Sequence, residues 1–401
     1  MFQNQKLKIF SGVSRNVIIL GLVSLFTDLS SQMVFPLLPL YITTVLGGTA
    51  VAVGVIEGAA EATASLLKVV SGYWSDKIKK RKPFVFFGYT LSALMKPLLA
   101  FAGNWFSVLA VRVADRIGKG LRDAPRDTIV AESNNKATLG KAYGLNRAMD
   151  GLGSVGGALL AVLLLPILGF TNLFKLAIIP GILAVLIIFF VQEPVQSKNK
   201  NSNNKKISLR FGFSRLTKEL KIFILIATIF TLGNYNYSFL MLRAQNQGLS
   251  NQAVIMLYAL FYLVYMFLST RAGEISDKKG RQPIILAGYI IFTLLSLGLY
   301  FFNGLTYTII SFILFGIFFA LIDGSQRALV ADLAPEELKG TALGAFHTFT
   351  GLAALPAGYI AGQLWVSFSP KATYLFGTGI GLISILLFYS ILKNNKKTNK
   401  T

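Results

Sequence analysis

Apolar segments of about 20 residues, the length that spans a bilayer as an α-helix, recur along the whole chain. They restrict the fold more than any other feature of the sequence. Soluble domains carry about 25% charged residues, whereas this chain is 14% charged and 54% hydrophobic. We therefore predict an all-α polytopic membrane protein, embedded in the lipid bilayer.

Twelve transmembrane helices fit the pattern of apolar segments. We expect them near residues 16–46, 50–74, 84–102, 106–131, 141–168, 173–192, 221–243, 252–272, 283–302, 305–331, 341–366 and 371–392. The long stretch 193–220 is polar and rich in Lys and Asn, which is typical of a solvated linker. The chain is thus predicted to form an N-terminal six-helix bundle over 1–192 and a C-terminal six-helix bundle with a basic tail over 221–401.

Basic residues cluster in alternate loops of this layout. They follow the second helix from Lys77 to Lys82, fill the linker, follow the eighth helix from Lys278 to Arg281, and form the tail from Lys393 to Lys400. By the positive-inside rule these loops and both termini are cytoplasmic, which predicts a multi-pass protein of the inner membrane. Because the basic residues lie in short loops, the net charge of +22 does not indicate nucleic-acid binding. No small-residue cleavage site follows the first apolar run, so we predict no removed signal peptide.

An internal repeat relates the two halves of the chain. Short motifs of the first half recur 200 or 201 residues later in the second. The recurring pairs are Gly72 and Gly273, Asp76 and Asp277, Leu121-Arg-Asp123 and Leu321-Ile-Asp323, and Ile129-Val-Ala-Glu132 and Leu329-Val-Ala-Asp332. The repeat predicts that the two bundles arose by duplication.

The stretch 112–127 carries eight charged residues between apolar flanks. Wound as an α-helix, these charges fall within an arc of about 140°. The corresponding span of the second half, 305–331, is apolar. It has Phe312, Phe315, Gly316 and Phe319 in place of Arg112, Asp115, Arg116 and Lys119. Because each central charge facing lipid would cost roughly 2.5–3.5 kcal/mol, we predict a fourth transmembrane helix whose charged face contacts other helices or a water-filled cavity.

Two loops resemble the signature loops of the major facilitator superfamily. They are Gly72-x-x-x-Asp76-Lys77-x-x-Lys80-Arg81 and its copy Gly273-x-x-x-Asp277-Lys278-x-Gly280-Arg281. The run DRIGKGLRDAPRD, a DRxGKGxRxxPRD pattern in the fourth helix, resembles a bacterial subgroup of these transporters. The resemblance covers essentially the full chain and implies two six-helix bundles that work by alternating access. It also implies that Lys80 or Arg81 pairs with an acid at the inner end of the fourth helix, for which Asp127 is the natural candidate.

These loops and the inner end of the fourth helix are the expected cytoplasmic gate. Its predicted members are Gly72, Asp76, Lys80, Arg81, Arg126, Asp127, Gly273, Asp277 and Arg281. Glycine allows close approach of two helices, and an aspartate can meet the positive N-terminal end of a neighbouring helix. A basic loop that only fixes the topology is the alternative.

Ionisable residues inside membrane helices are candidates for function by default. The candidates for substrate or proton coupling are Asp28, Gln32, Glu57, Glu61, Lys96, Arg112, Asp115, Arg116, Lys119, Arg147 and Asp150. An unpaired carboxylate in a low dielectric is able to take up a proton near neutral pH, and the spacing does not choose between Asp28, Glu57 and Glu61. A structural lattice of ion pairs is the alternative interpretation of the whole set.

We predict a secondary transporter that moves a small anionic or zwitterionic organic solute and is linked to protons. The reason is the cluster of Arg112, Arg116, Lys119 and Lys96, because arginine recognises carboxylate and phosphate through paired hydrogen bonds. Two alternatives stay open: proton-coupled efflux of hydrophobic cations or drugs, and a non-transporting membrane sensor with the same fold. The sequence has no cysteine and no catalytic, metal-ligand or nucleotide-binding pattern. We therefore predict neither an enzyme nor a cofactor, and we expect a monomer.

Overall fold

The computed structural model describes residues 13–134, 138–193, 215–335 and 338–398, and these residues form helices and no strand. Most of the predicted linker, residues 194–214, lies outside them. The α-helices are α1 (Arg15–Gln32), α2 (Leu38–Thr44), α3 (Ala50–Ile78), α4 (Lys82–Leu98), α5 (Trp105–Glu132), α6 (Leu139–Leu176), α7 (Ile178–Ile188), α8 (Lys218–Gly233), α9 (Tyr237–Asn246), α10 (Asn251–Lys279), α11 (Arg281–Phe301), α12 (Leu305–Leu333), α13 (Lys339–Ser367) and α14 (Pro370–Thr398). Two 3-10 turns, Phe35–Leu37 and Leu99–Phe101, lie between them.

The described helices provide the twelve membrane crossings expected from the sequence. Nine helical segments are long and apolar enough to cross a bilayer. One of these, Ala142–Ile188, has 47 residues, and at about 1.5 Å per residue it is too long for a single crossing of a core about 30 Å thick. Gly169 bends it with φ 67°, so this segment holds two crossings. The helices α5 and α13, with 28 and 29 residues, supply the other two.

Two of the predicted helices are interrupted at equivalent places in the repeat. The predicted helix 16–46 is broken by the 3-10 turn Phe35–Leu37, because Pro36 has no N–H to donate to the preceding turn. The predicted helix 221–243 is broken at Asn234, which has extended backbone. There Asn236 starts α9 by accepting a hydrogen bond from the Ser238 amide at 3.1 Å.

The chain divides into two compact units. The first contains Met1–Leu37 and Leu66–Ser202, and the second contains Leu38–Ser65 and Asn203–Thr401. In the first unit α1 packs against α6 and α7, and α4 packs against α5. In the second unit α12 packs against α10 and α11, and α8 packs against α13 and α14. The predicted bundle boundaries at residues 192 and 221 stay a prediction.

Residues Leu38–Ser65, which form α2 and the first half of α3, pack within the second unit. The Thr43 hydroxyl lies 3.1 Å from the Gln245 side-chain oxygen. Gly54 of α3 faces Gly358 of α13 so closely that a Cβ on either residue would overlap the backbone of the other. This backbone contact explains why the first half of α3 belongs with the second unit.

Glycines bring α5 against α4 in the first unit. A Cβ placed on Gly88 would meet the carbonyl oxygen of Gly118 at 2.5 Å, and a Cβ on Gly118 would meet that of Gly88 at the same distance. The two backbones are therefore nearly in contact at this level. Polar side chains of α4 can then reach the charged face of α5.

Candidate functional site

The charged face of α5 is packed inside the first unit. The helix begins at Trp105, where the Asn104 side chain accepts a hydrogen bond from the Ser107 amide at 2.8 Å. Arg112 and Asp115 are each only 2% exposed, and Arg122 is also buried. The expectation that the charged face of the fourth helix contacts other helices is therefore confirmed for these three residues.

The Asp115 carboxylate lies close to two arginines at the centre of α5. Its Oδ2 lies 3.6 Å from Arg112 and 3.7 Å from Arg116. The Ser92 hydroxyl of α4 donates to Oδ1 of the same carboxylate at 2.7 Å. The Arg112 guanidinium lies 3.7 Å from the centre of the Phe35 ring, a distance suited to a cation–π contact.

Lys96 of α4 lies next to this group and is almost completely buried. Its Nζ donates to the Ser30 hydroxyl at 3.1 Å, and Ser30 in turn donates to the Ala177 carbonyl oxygen at 2.6 Å. Lys96 is thus hydrogen-bonded to a hydroxyl, while Asp115 is within electrostatic reach. We name the set Lys96, Arg112, Asp115 and Arg116 the central charge cluster.

The C-terminal half of α5 forms a second set of ion pairs. Arg126 contacts Asp127 at 3.0 Å and Asp150 of α6 at 3.9 Å, and it donates to the Ser24 hydroxyl at 2.9 Å. Arg147, whose side chain is mostly exposed, contacts Asp150 at 3.7 Å. Asp150 therefore links two arginines of different helices.

Arg122 and Lys119 complete the charged face of α5. The Arg122 guanidinium lies over the Tyr89 ring at 4.2 Å and 3.9 Å from the Asp123 carboxylate. Lys119 is half-buried and within electrostatic reach of Asp28 and Asp123.

Asp28 of α1 differs from the other carboxylates in the interior of the first unit. Among the residues that the structure describes, no cation approaches it within 4 Å, whereas Asp115, Asp123, Asp127 and Asp150 each contact an arginine. It is half-buried and lies where α1 meets Gly153 of α6. Gln32 ends the same helix and is also half-buried.

Arg81, at the start of α4, pairs with Asp76 at 2.9 Å and with Glu132 at 3.0 Å. The predicted partner was Asp127, which instead pairs with Arg126. The geometry explains the correction, because Glu132 is the last residue of α5 and lies level with the first residue of α4. Asp127 lies five residues before Glu132, which places it about 7.5 Å away from this end of α5.

The second unit repeats this arrangement. Arg281 contacts Asp277 and, at 3.1 Å, Asp332. Arg281 and Asp332 are each 200 residues beyond Arg81 and Glu132. The recurrence of Val-Ala followed by an acid is therefore the signal in the sequence that could have identified Glu132 as the partner of Arg81.

Within the described residues, the two glycines of the expected gate have room beside them, and their role in a gate stays a prediction. A Cβ on Gly72 would meet Ala124 at an ordinary 3.4 Å, and a Cβ on Gly273 would meet nothing within 4 Å. Lys80 is exposed.

The remaining candidates, Glu57 and Glu61, lie on the first half of α3 and belong to the second unit. Glu57 is 7% exposed and lies within electrostatic reach of Tyr258. Glu61 is exposed, and the Ser65 hydroxyl donates to its carboxylate at 3.3 Å. Their part in substrate or proton coupling stays a prediction.

Aromatic rings fill the second unit where the first unit carries charges. Tyr258 and Tyr262 lie 5.2 Å apart between ring centres, and Phe261 lies 5.4 Å from Phe315. One ion pair, Arg327 with Asp323, lies at the edge of this aromatic cluster. The Tyr265 hydroxyl donates to Asp323 at 3.1 Å.

Sequence reasoning missed the uncharged members of the site. They are Ser24, Ser30, Phe35, Ser92 and Tyr89, each in contact with an arginine, a lysine or Asp115. No pattern distinguishes these residues from other residues of apolar helices. In the described part of the chain, no group of three or more His, Cys, Asp or Glu residues is arranged to hold a metal ion.

Comparisons with known proteins agree with this architecture. The sequence matches the Major Facilitator Superfamily over residues 20–355 and 222–401. An uncharacterized MFS-type transporter of Methanocaldococcus jannaschii is 41% identical over 387 residues, which cover 94% of this chain and 95% of the relative. The fosmidomycin resistance protein of Escherichia coli is 26% identical over 386 residues, 92% of each chain.

Solved structures show the same fold. The nucleoside transporter NupG superposes with a TM-score of 0.76 at 13% identity, covering 94% of this chain and 99% of that one. At this identity the likeness concerns the fold alone. Together with the sequence match over most of the chain, it shows that this protein belongs to the major facilitator superfamily.

Proposed function

We propose that this secondary transporter moves a small anionic or zwitterionic organic solute and is linked to protons. The observation that carries the proposal is the charge of the central cluster, in which the Asp115 carboxylate contacts Arg112 and Arg116 and lies within electrostatic reach of Lys96. A cluster with three cations and one anion in a low dielectric favours a second anion. A carboxylate or phosphate group of the solute would supply it.

Arg116 is the member of the cluster that we assign to direct solute contact. Its side chain is 13% exposed, whereas that of Arg112 is 2% exposed. A guanidinium binds carboxylate or phosphate through two parallel hydrogen bonds. We assign Arg112 and Lys96, which are more deeply buried, to the support of this residue.

Asp28 is the carboxylate that we assign to proton transfer. The other carboxylates in the interior of the first unit already contact arginines, and Asp28 does not approach a cation within 4 Å in the described residues. It lies within electrostatic reach of Lys119, Arg122 and Asp150. A change in its protonation would therefore act on the charges of α5 and α6.

Transport by purified protein in liposomes tests the solute class. Uptake of a panel of mono-, di- and tricarboxylates, organic phosphates and organic cations is measured under an imposed pH gradient. We expect an anion to be transported, and Arg116→Gln to lower its uptake at least about tenfold, since a charge-assisted hydrogen bond contributes about 1.5–3 kcal/mol. The matched control is Arg271→Gln, which removes an exposed arginine of α10. Equal uptake by both folded variants would contradict the proposal.

Asp28→Asn tests the proton linkage separately. We expect this variant to exchange labelled solute for unlabelled solute across the membrane, but not to accumulate solute in response to a pH gradient. The reason is that exchange needs the solute site alone, whereas accumulation needs the proton carrier. If Asp28→Asn accumulated solute at the wild-type level, Asp28 would not be the proton carrier.

A second candidate function, proton-coupled efflux of hydrophobic cations or drugs, is supported by a different observation. Glu57 is buried in the second unit beside Tyr258 and its neighbouring rings, and aromatic faces with a carboxylate suit organic cations. The fosmidomycin resistance relative is compatible with export. Drug tolerance that rises on overexpression and falls in Glu57→Gln would favour this function over anion transport.

We also propose that the protein is a monomer of the inner membrane with both termini in the cytoplasm. The support is the distribution of basic residues between alternate loops. The same argument places the linker 193–220 in the cytoplasm between bundles 1–192 and 221–401. Reporter fusions to the C-terminus would check the orientation.

A further inference from the structure

A groove of about 460 Å³ lies on the first unit where α4 begins and α7 ends. Its volume is within the range of about 300–1,000 Å³ that is usual for ligand pockets. It is lined by Lys80, Lys82, Phe86, Phe87, Phe189 and Glu193. By the rise of an α-helix it lies about 21 Å along α4 from Lys96, so it is separate from the central charge cluster.

The floor of the groove is aromatic and open to the outside of the protein. The Phe86 and Phe189 rings lie 5.2 Å apart between centres. Phe87 is 64% exposed and Phe189 is 59% exposed. Because α4 and α7 belong to membrane-spanning segments, the natural environment of these exposed rings is the acyl region of the bilayer.

The rim of the groove is basic. Lys82 Nζ donates to the Phe189 carbonyl oxygen at 3.0 Å, which leaves two of the three N–H groups of its ammonium for another acceptor. Lys80 is exposed. The rings begin one helical turn, or about 6 Å, further along α4 than Lys82, which is the spacing of a lipid phosphate above the start of its acyl chains.

The only acid of the groove lining, Glu193, is bound to the backbone. Its two carboxylate oxygens accept hydrogen bonds from the Arg81 and Lys82 amides at 2.6 and 2.9 Å. These amides belong to the first turn of α4, where a carboxylate is stabilised by the helix dipole. The Glu193 carboxylate is therefore hydrogen-bonded to the N-terminal end of α4, and both lysines remain available to an anion.

The repeat shows that the fold does not require these groove residues. The residues that recur unchanged in the second half are Arg81, Pro83, Gly88 and Tyr89, as Arg281, Pro283, Gly288 and Tyr289. Pro83 also lines the groove, but the charged and aromatic groove residues at this helix start do not recur: Lys80, Lys82, Phe86 and Phe87 are replaced by Gly280, Gln282, Leu286 and Ala287. The same helix start is thus built without two cations and two rings, so these side chains call for an explanation other than folding.

We infer that this groove binds an anionic glycerophospholipid. The lipid phosphate contacts Lys80 and Lys82, and one acyl chain lies along Phe86, Phe87 and Phe189. Basic residues beside membrane helices are a recognised feature of sites for anionic lipid headgroups. A free anion would gain nothing from the aromatic floor, and a zwitterionic lipid would gain less from the two lysines.

Native mass spectrometry of the purified, delipidated full-length protein tests the inference. Phosphatidylglycerol and phosphatidylcholine with identical acyl chains are titrated separately, and the dissociation constant of the first bound lipid is measured. We expect phosphatidylglycerol to bind at least tenfold more tightly than phosphatidylcholine. Inorganic phosphate in millimolar excess should not displace it. Equal affinity for the two lipids, or displacement by inorganic phosphate, would overturn the inference.

Matched variants locate the site. Lys80→Gln with Lys82→Gln should weaken phosphatidylglycerol binding about tenfold, and Phe87→Ala should weaken both lipids by a smaller factor. The control is Lys278→Gln with Lys279→Gln, which removes the same charge from the exposed C-terminal end of α10 in the second unit and should leave the affinity unchanged. Equal weakening by both double variants would indicate non-specific electrostatics and overturn the site. Lys82→Gln alone provides the same test if the double variant does not fold.

Discussion

The helices α5 and α12 occupy the same place in the internal repeat but carry opposite chemistry. At four equivalent positions α5 has Arg112, Asp115, Arg116 and Lys119, and α12 has Phe312, Phe315, Gly316 and Phe319. Each helix packs against the equivalent helix of its own unit: α5 packs against α4, and α12 packs against α11. A single backbone arrangement is therefore compatible with either an ionic or an aromatic interior.

The ionic interior of the first unit and the aromatic interior of the second should respond differently to the loss of one side chain. Aromatic packing is additive and tolerant, because each ring contacts several others; Phe230, for example, stacks on Tyr289 at 3.9 Å and meets the edge of Phe292 at 5.1 Å. A buried ion pair is stable only while both partners remain, because one charge alone in a low dielectric is costly. We therefore expect the first unit to be the more sensitive to single substitutions.

The largest expected effect is that of Asp115→Asn. The variant keeps the shape of the side chain but leaves Arg112, Arg116 and Lys96 without the carboxylate that they share. We expect a loss of about 3–5 kcal/mol in the free energy of unfolding, the usual cost of breaking a buried pair. Reversible SDS titration in mixed micelles measures it.

Asp323→Asn is the matched control in the second unit. The Arg327 and Asp323 side chains are 29% and 32% exposed, so this ion pair should contribute no more than about 1 kcal/mol. Losses of equal size in the two variants would show that the two interiors do not differ in the way proposed.

The second comparison concerns the duplicated ion pairs of Arg81 and Arg281 at the starts of α4 and α11. The Arg81 side chain is 8% exposed and that of Arg281 is 23% exposed. We expect Arg81→Gln to cost about 1.5–3 kcal/mol, because it removes charge-assisted hydrogen bonds from a buried site. Arg281→Gln should cost about 1 kcal/mol or less. The same SDS titration compares the free energies of unfolding of the two variants. A larger loss for Arg281→Gln than for Arg81→Gln would contradict the conclusion that Arg81 forms the more stabilising ion pairs.

The fold could be predicted from the sequence because lipid leaves few alternatives. Every backbone N–H and C=O must be paired inside the membrane, so apolar segments of sufficient length become helices. The repeat then identified α5, which apolarity alone would have discarded. The break at Asn234 could not be predicted in this way, since nothing in the apolar pattern marks it; the side chain of Asn236 then caps the start of α9.

The third comparison uses the glycine that recurs unchanged on α4 and α11. A Cβ on Gly88 would meet the Gly118 carbonyl oxygen at 2.5 Å and Arg122 Cβ at 2.7 Å, whereas a Cβ on Gly288 would meet the end of the Ile322 side chain. Backbone cannot move aside as a side chain can, so we expect Gly88→Ala to cost about 1–3 kcal/mol and Gly288→Ala to cost less. Thermal unfolding followed by tryptophan fluorescence compares the two, with Gly324→Ala, which would meet nothing within 4 Å, as the neutral reference.

The candidate site was predictable only in its charged members. Intramembrane charges are recognisable in any sequence because they are costly in lipid, which is how Asp28, Lys96 and Asp115 were chosen. Their partners depend on rotation and depth of the helices, and a helical wheel does not give these. The resemblance suggested Asp127 as the partner of Arg81, whereas the structure pairs Arg81 with Glu132.

The smallest expected effect separates two tyrosines that hold the same place in the repeat. The Tyr289 hydroxyl accepts a hydrogen bond from Gln326 at 3.0 Å, whereas the buried Tyr89 hydroxyl has no hydrogen-bond partner among the described residues and its ring lies beneath Arg122 instead. Tyr289→Phe should therefore cost about 1 kcal/mol, the net value of one hydrogen bond. Tyr89→Phe keeps the ring under the guanidinium and removes an unpaired buried hydroxyl, so its stability should stay within about 0.5 kcal/mol of wild type or rise. Paired SDS titrations would detect this difference, and a loss in Tyr89→Phe as large as that in Tyr289→Phe would mean that the hydroxyl of the ionic interior has a partner after all.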